Sequence, residues 1–434
     1  MKARGPFFAG NHMIKSILNT FVWRTELLMP TSWKKNIVLF LTSQTISLFG
    51  SSLVQYAMFW YVTLKTQSGI MMTIYIICGF LPTFFLSPCA GVWADRYNRK
   101  TLIMLSDSVI AGATLVMAIL FLMGFEMLWL IFVMSAVRAL GTAVQVPTVS
   151  AFMPQLVPED KLTKVNATNG SIQSVIMLIS PMVSGALLTM ATIETIFFID
   201  VVTAAIAVST LFLFLHVPVH AKALEKKDMS YFKDMKLGYE YIRKHDYIKN
   251  FFLFCAVFFV LVSPAAFLTP LQVSRSFGND FWRLTAVEIA FSSGMIAGGV
   301  IMAWWGGMKN KVHTMTLSVM LSAVGIFALG VIPDFWIYLA VMAVVGITMP
   351  AFNTPSTVLL QEKVEADYLG RVFGVLGMIS SSMMPLGMLV FGPLSDIIKI
   401  EWILVLTGIL QFILSFFLLG AKALVEAGKP AVKP

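Results

Sequence analysis

GVWADRYNRK, residues 91–100, is a charged turn set between two apolar runs, 71–93 and 101–123. A helix crossing a bilayer needs roughly 20 residues at about 1.5 Å each. Both runs meet that length, so the chain leaves the lipid and re-enters it around this turn. Working outward, the pattern recurs and gives twelve spans: 37–63, 71–93, 101–123, 127–149, 165–190, 193–215, 249–271, 285–307, 312–332, 334–360, 371–398 and 401–420. With a cytoplasmic N-terminus, 26 of the 31 Lys and Arg fall on the cytoplasmic side. Lys65, Arg275, Arg283 and Lys399 lie outside, and Arg138 lies within a span. Positive charge is retained on the cytoplasmic side, which fixes that orientation and puts both termini inside. The expected fold is an all-α membrane protein of twelve helices in two six-helix halves.

Composition agrees. The chain is 58% hydrophobic and 12% charged, against about a quarter charged in soluble domains. The net charge of +9 sits in loops, with no basic stripe interleaved with aromatics. Contact with anionic lipid heads accounts for it, and nucleic acid does not. Cys78 and Cys89 lie 11 residues apart on one span, about 16 Å in rise, too far to bond. His216 and His220 have metal-ligand spacing, but Pro218 between them opposes a regular helix. No metal and no cofactor is expected. A P-loop, HExxH and G-x-S-x-G are all absent, which argues against an ATP-driven pump and against a membrane enzyme.

The chain divides into a cytoplasmic tail (1–36), a first bundle (37–215), a cytoplasmic linker (216–248), a second bundle (249–420) and a second tail (421–434). The first tail holds a short run, Ile14–Leu28, interrupted by Lys15 and Arg24 and lacking a small-residue cleavage site. It reads as an amphipathic surface helix or an unstructured tail, not a cleaved signal. The linker is too polar for lipid, and a surface helix is expected around Ser230–Arg243. The halves repeat: Val157-Pro158-Glu159-Asp160-Lys161-Leu162 follows span 4 as Val364-Glu365-Ala366-Asp367-Tyr368-Leu369 follows span 10, offset by 207 residues. Two parallel halves with a site between them suit a rocking transporter.

The 91–100 turn resembles the loop signature G-x-x-x-D-R-x-x-R-K of the major facilitator superfamily, matched by Gly91, Asp95, Arg96, Arg99 and Lys100. Gly91 permits close helix approach, Asp95 suits the positive end of a partner helix, and the three bases can meet acids or lipid phosphates. The resemblance implies that the partner is the start of span 11, at Gly370 and Arg371, forming a clasp that holds the cytoplasmic side shut. The loop between spans 8 and 9 keeps glycine and base but lacks the acid. Span 5 carries Ser180-Pro181-Met-Val-Ser184-Gly185, which resembles the antiporter signature of this superfamily's exporters with serines where glycines are usual.

From about 33 to 420 the chain is similar to bacterial macrolide-efflux proteins and related drug exporters, through Gly79-Phe-Leu-Pro82, Arg138-Ala-Leu-Gly-Thr-Ala143 and Tyr368-Leu-Gly-Arg-Val-Phe373. This implies secondary export of hydrophobic or amphipathic compounds by alternating access, as drug:proton antiport, in the bacterial inner membrane. The implied partners are a small hydrophobic substrate, protons and membrane lipids; a monomer is expected, and an ATP-binding protein partner stays open. A siderophore or lysolipid carrier is the nearest alternative, and a non-transporting receptor or anchor the other class.

Charges inside the bilayer are costly unless paired or hydrated, which makes them functional candidates. Arg138, Asp107, Asp200 and Glu288 are those residues. Structural pairing is the favoured role for Asp107 and Asp200, and Glu288 lies near the outer end of span 8. By analogy with that family, a central cavity between spans 1, 4, 7 and 10 would be lined by Gln44, Ser47, Gln55, Tyr56, Gln145, Asn353, Phe258 and Phe259. Some of the 28 Met residues would supply surfaces that repack around varied apolar ligands.

Overall fold

The computed structural model describes residues 33–215 and 240–429. The Ile14–Leu28 run, the His216/His220 pair and most of the expected Ser230–Arg243 helix lie outside the described residues. Twelve helices among the described residues are long and apolar enough to cross a membrane. The first half holds α1 (Trp33–Thr66), α2 (Gly69–Arg96), α3 (Arg99–Leu122), α4 (Leu128–Leu156), α5 (Glu159–Met190) and α6 (Ile193–Phe214). The second holds α7 (Asp246–Phe267), α8 (Phe281–Trp305), α9 (Lys311–Leu329), α10 (Phe335–Lys363), α11 (Ala366–Leu394) and α12 (Ile400–Gly420). Beyond a break at Leu268, α7 continues as Thr269–Ser276. A short α13 (Lys422–Ala427) follows α12.

Several helices outrun their apolar stretches. α1 starts at Trp33, and α5 starts at Glu159 with thirteen polar or small residues before its apolar part. Hydrogen bonding continues a helix wherever backbone propensity allows, while the apolar run reports only the part facing lipid. Side chains set the ends: Asn98 accepts from the Thr101 amide at the start of α3, and Asp334 accepts from Trp336 and Ile337 at the start of α10. These caps satisfy amides that have no partner within the helix. Trp129, Trp304, Trp336 and Trp402 stand exposed at helix ends, as the aromatic belt of a membrane protein requires.

The repeat is legible in three dimensions. Leu128, Glu159 and Ile193 open α4, α5 and α6, and Phe335, Ala366 and Ile400 open α10, α11 and α12, each 207 residues on. Packing repeats as well: α1 lies on α5 and α6, α2 on α4, and α3 on α4 and α6, while α7 lies on α11 and α12, α8 on α10, and α9 on α10 and α12. The halves meet through α2 with α11 and α5 with α8, pairs that the pseudo-symmetry exchanges.

Small residues allow the tightest crossing. A Cβ on Gly294 of α8 would strike the Ala343 carbonyl of α10, and one on Gly346 of α10 would strike the Phe291 carbonyl. Backbones that approach this closely gain dispersion that no larger residue permits. Gly294→Leu is expected to destabilise the second half by about 3 kcal/mol, lowering the Tm and yield of purified protein, whereas Gly299→Ala, where a Cβ meets nothing within 4 Å, leaves both unchanged.

The segment after α12 is anchored, not loose. Leu424 is buried, Asn310 Nδ2 donates to the Val425 carbonyl (2.9 Å), and the Lys311 amide donates to the Gly428 carbonyl (3.0 Å). Thus the loop between α8 and α9, which lacks the acid of its counterpart, is fastened to α13 instead.

Candidate functional site

Four helices of the first half bring polar groups into one buried spine with two storeys. Gln44 and Ser51 on α1, Asp107 and Thr114 on α3, and Arg138 and Gln145 on α4 are each seven residues apart, which is nearly two helical turns and keeps each pair on one face. In the first storey, Arg138 Nη1 lies 2.6 Å from Asp200 Oδ2 of α6, and Arg138 Nη2 donates to the Ser51 carbonyl (3.1 Å). Thr114 Oγ1 donates to Asp200 Oδ2 (2.8 Å) and Ser51 Oγ to Asp200 Oδ1 (3.0 Å), while Arg138 also reaches Thr114. Asp200 is completely buried, so removing its cation would leave an uncompensated interior charge.

The second storey is built differently. Asp107, 1% exposed, accepts from Ser47 Oγ (3.0 Å), Gln44 Nε2 (3.4 Å) and Gln145 Nε2. No basic side chain reaches this carboxylate among the described residues. Gln44 and Ser47 therefore turn toward Asp107 and away from the central cavity expected from sequence. The amide of Gln145 is likewise committed, although that residue is half-buried. Phe258 is buried between Phe254 and Phe352, with ring centroids 5.6 and 5.0 Å away, and does not line the centre. Gln55 and Asn353 are exposed and lie apart from the spine. Glu288 is half-buried within electrostatic reach of Tyr56.

Each end of the bundle has its own character. At the far end, opposite Trp33 and Gly420, the halves are joined. Asp396, between α11 and α12, accepts from Ser68 Oγ (2.6 Å) and the Gly69 and Ile70 amides (2.8 and 3.0 Å) at the start of α2. Arg275 donates to Asp396 (2.7 Å), to the Ser395 carbonyl (2.6 Å) and to the Gln67 carbonyl. Gln67 has φ +51°, and its amide donates to Ser274 (2.6 Å) and Asn279 (2.8 Å). Burial pushes the Asp396 carboxyl up, but Ser68, the two amides and Arg275 together hold it below the ordinary value of 3.8. Nothing in the sequence pairs Arg275 with Asp396; they are distant in the chain and act across the halves.

Gly185 belongs to the same closure. A Cβ there would collide with Thr285 of α8 and press on Trp60, while Ser184 Oγ donates to the Leu53 carbonyl of α1 (3.0 Å). Ser180 and Pro181 are buried in α5, and the Ser180 hydroxyl has no described partner. Gly185→Val is expected to hold the far end ajar, and transport should fall while the Tm changes little; normal transport by this variant would remove Gly185 from the closure.

At the terminal end the halves are parted. A Cβ on Gly91, Gly370, Gly374 or Gly377 would meet nothing within 4 Å. The close helix approach expected at Gly91 and at the start of α11 is thus not made at these glycines in this conformation. The Asp95 side chain lies outside the described residues. The neighbouring bases serve their own half. Arg99 donates to the Ala94 and Ala151 carbonyls (2.9 and 2.8 Å), and Lys100 donates to the Leu215 carbonyl at the end of α6 (2.7 Å). Cations at helix C-termini satisfy carbonyls and oppose the dipole, so these two residues fasten helix ends within the first half. Arg96 is exposed. The Arg371 guanidinium lies over the Tyr368 ring, 5.4 Å from its centroid. Near this opening α5 exposes Asn166, Thr168, Ser171, Gln173 and Ser174, a polar face that lipid would not accommodate. The sequence carried that signal in the polar first half of α5.

The Major Facilitator Superfamily model matches residues 37–388. The chain belongs to this superfamily. Among relatives in the superfamily, Macrolide efflux protein A of Streptococcus pyogenes is 29% identical over 381 residues, 87% of this chain and 94% of that protein. Macrolide efflux protein A of Enterococcus faecalis is 30% identical over 314 residues, 72% and 97% of the two chains. The Staphyloferrin A transporter of Staphylococcus aureus is 23% identical, covering 83% and 90%. The major facilitator fold is shared with a bacterial homologue of the human lysosomal transporter Spinster, solved inward-facing and unoccupied (TM-score 0.67, 12% identity, 93% of this chain and 100% of that one). These relatives are transporters and not enzymes, which agrees with the absence of catalytic motifs.

Proposed function

We infer that the protein is a secondary exporter of hydrophobic and amphipathic, macrolide-like compounds, exchanging them for protons by alternating access. The carrying observation is the contrast between the ends: one sealed by interlocked polar groups, the other open beside a polar face of α5. The similarity to macrolide-efflux proteins over most of the chain supports the substrate class. The distribution of Lys and Arg supports placing the open, terminal end in the cytoplasm of a bacterial cell, so that cargo enters from inside. A monomer suffices for this cycle, with lipid around it and no nucleic acid.

Energised inside-out vesicles containing the protein should accumulate a radiolabelled macrolide, and an uncoupler should abolish the accumulation. Uptake indifferent to the uncoupler rejects proton drive. A siderophore-like cargo is the second reading, favoured by the exposed amides of Asn166 and Gln173 and the similarity to the Staphyloferrin A transporter. Competition by such a compound, with none by macrolides, would select it.

A further inference from the structure

We propose that Asp107 is the residue that takes up and releases the coupling proton, and that Gln145 is its route to solvent. This rests on the exporter reading above, and it begins from the contrast between the two storeys of the spine. Asp200 has a permanent counter-ion in Arg138 at 2.6 Å, together with Thr114 and Ser51. Its charge is balanced, and adding a proton would break that balance. Asp107 has only neutral donors: Gln44, Ser47 and Gln145. Converging donors favour the ionised carboxylate, while an apolar surround without a cation disfavours it. A carboxyl held between two opposed influences can change state at modest cost, whereas one locked in an ion pair cannot.

The charged groups that face Asp107 are few. α1 contributes Gln44 and Ser47, neither charged; α4 contributes Gln145 and, one storey away, Arg138; α6 contributes Asp200. Since Arg138 and Asp200 neutralise each other, the site keeps one unbalanced titratable group.

Access follows from burial. Gln44, Ser47 and Asp107 are buried, and Gln145 is half-buried beside exposed Thr142 and Val146. Gln145 is therefore the member of the lower storey that bridges the carboxylate and the outside of α4. In the present conformation, with the terminal end parted, that route leads a proton from Asp107 to the same side from which cargo enters. A protonated Asp107 gains a donor of its own, and the oxygen that holds the proton accepts more weakly. Its links to α1 and α4 shift accordingly, which couples the proton to two helices outside the α2–α11 and α5–α8 contacts that join the halves.

Infrared titration of the purified full-length protein in lipid reads this directly. The wild type should show a protonated-carboxyl C=O band that grows as pH falls. Asp107→Asn should lose that band, while Asp107→Glu should keep it with a shifted midpoint, and Glu288→Gln should leave it in place. A band that survives Asp107→Asn unchanged overturns the proposal. Should Asp107→Asn fold poorly, Gln145→Leu replaces it: slowed proton exchange of the band is expected, and an unaltered rate overturns the route. In vesicles, Asp107→Asn should lose accumulation driven by the proton gradient yet still equilibrate the labelled macrolide downhill; gradient-driven accumulation by this variant would also overturn it. If the wild type moves no macrolide but the band still vanishes with Asp107, the exporter reading fails and the proton site stands.

Discussion

Asp396→Ala should shift the protein toward a conformation open at the far end. The side chain joins α2 of one half to the α11–α12 loop of the other through three donors and one guanidinium. A hydrogen bond to a charged group contributes about 1.5–3 kcal/mol, and partial exposure of this cluster places it at the lower end. Losing about 1.4 kcal/mol already changes a population tenfold. With Cys78, Cys89 and Cys255 replaced by Ser, a Thr73→Cys probe beside Gly392 should react with an impermeant maleimide about tenfold faster once Asp396 is removed. Unchanged labelling would show that the glycine contacts alone close this end. The pH dependence is also fixed. Because the carboxyl is held below 3.8, its contribution is complete above that value and is lost only as pH falls through the still lower value of the closed state. Once corrected for the thiolate fraction at each pH, labelling of the parent should therefore be flat across roughly pH 5–8, apart from any contribution of Asp107.

The second large effect concerns Arg138 and Asp200. Removing one member of a buried ion pair costs about 3–5 kcal/mol, because the survivor keeps its charge and loses its partner. Arg138→Gln and Asp200→Asn should each sharply reduce yield and Tm. The paired replacement Arg138→Met with Asp200→Leu should recover most of that stability, since neither charge then remains. Single variants as stable as the wild type would mean that the pair does not hold α4 to α6. This test separates the storeys: the Arg138–Asp200 pair is expected to govern folding, and Asp107 to govern coupling.

The bundle was readable from sequence because lipid imposes a strict length and charge rule on each span, and the 207-residue repeat follows from the Pro- and acid-bearing joints of α4–α5 and α10–α11. Asp200 stands in an ion pair with Arg138. Asp107 was not separable from Asp200 in sequence, because the distinction depends on which neighbour is a cation and which an amide. Gln44 and Ser47 looked like cavity groups because helix position alone does not reveal rotation about the axis. The Gln67–Arg275–Asp396 cluster left no local trace at all, since its members share no periodicity and meet only when the two halves do. The 91–100 signature was found readily, yet its bases tie α2, α4 and α6 together in this conformation, a duty that a motif cannot disclose.

Gln67 gives the closed far end a further property. A left-handed backbone costs a residue with a Cβ roughly 1–2 kcal/mol; here the Gln67 backbone amide donates to the Thr63 carbonyl of α1 (2.9 Å), and the opposite half adds bonds to its carbonyl and side chain. Once Arg275, Ser274 and Asn279 withdraw, the turn can relax to an ordinary conformation and return that energy. The hinge is thus cocked while shut, and release of cargo on that side starts with a small push already stored in the joint between α1 and α2.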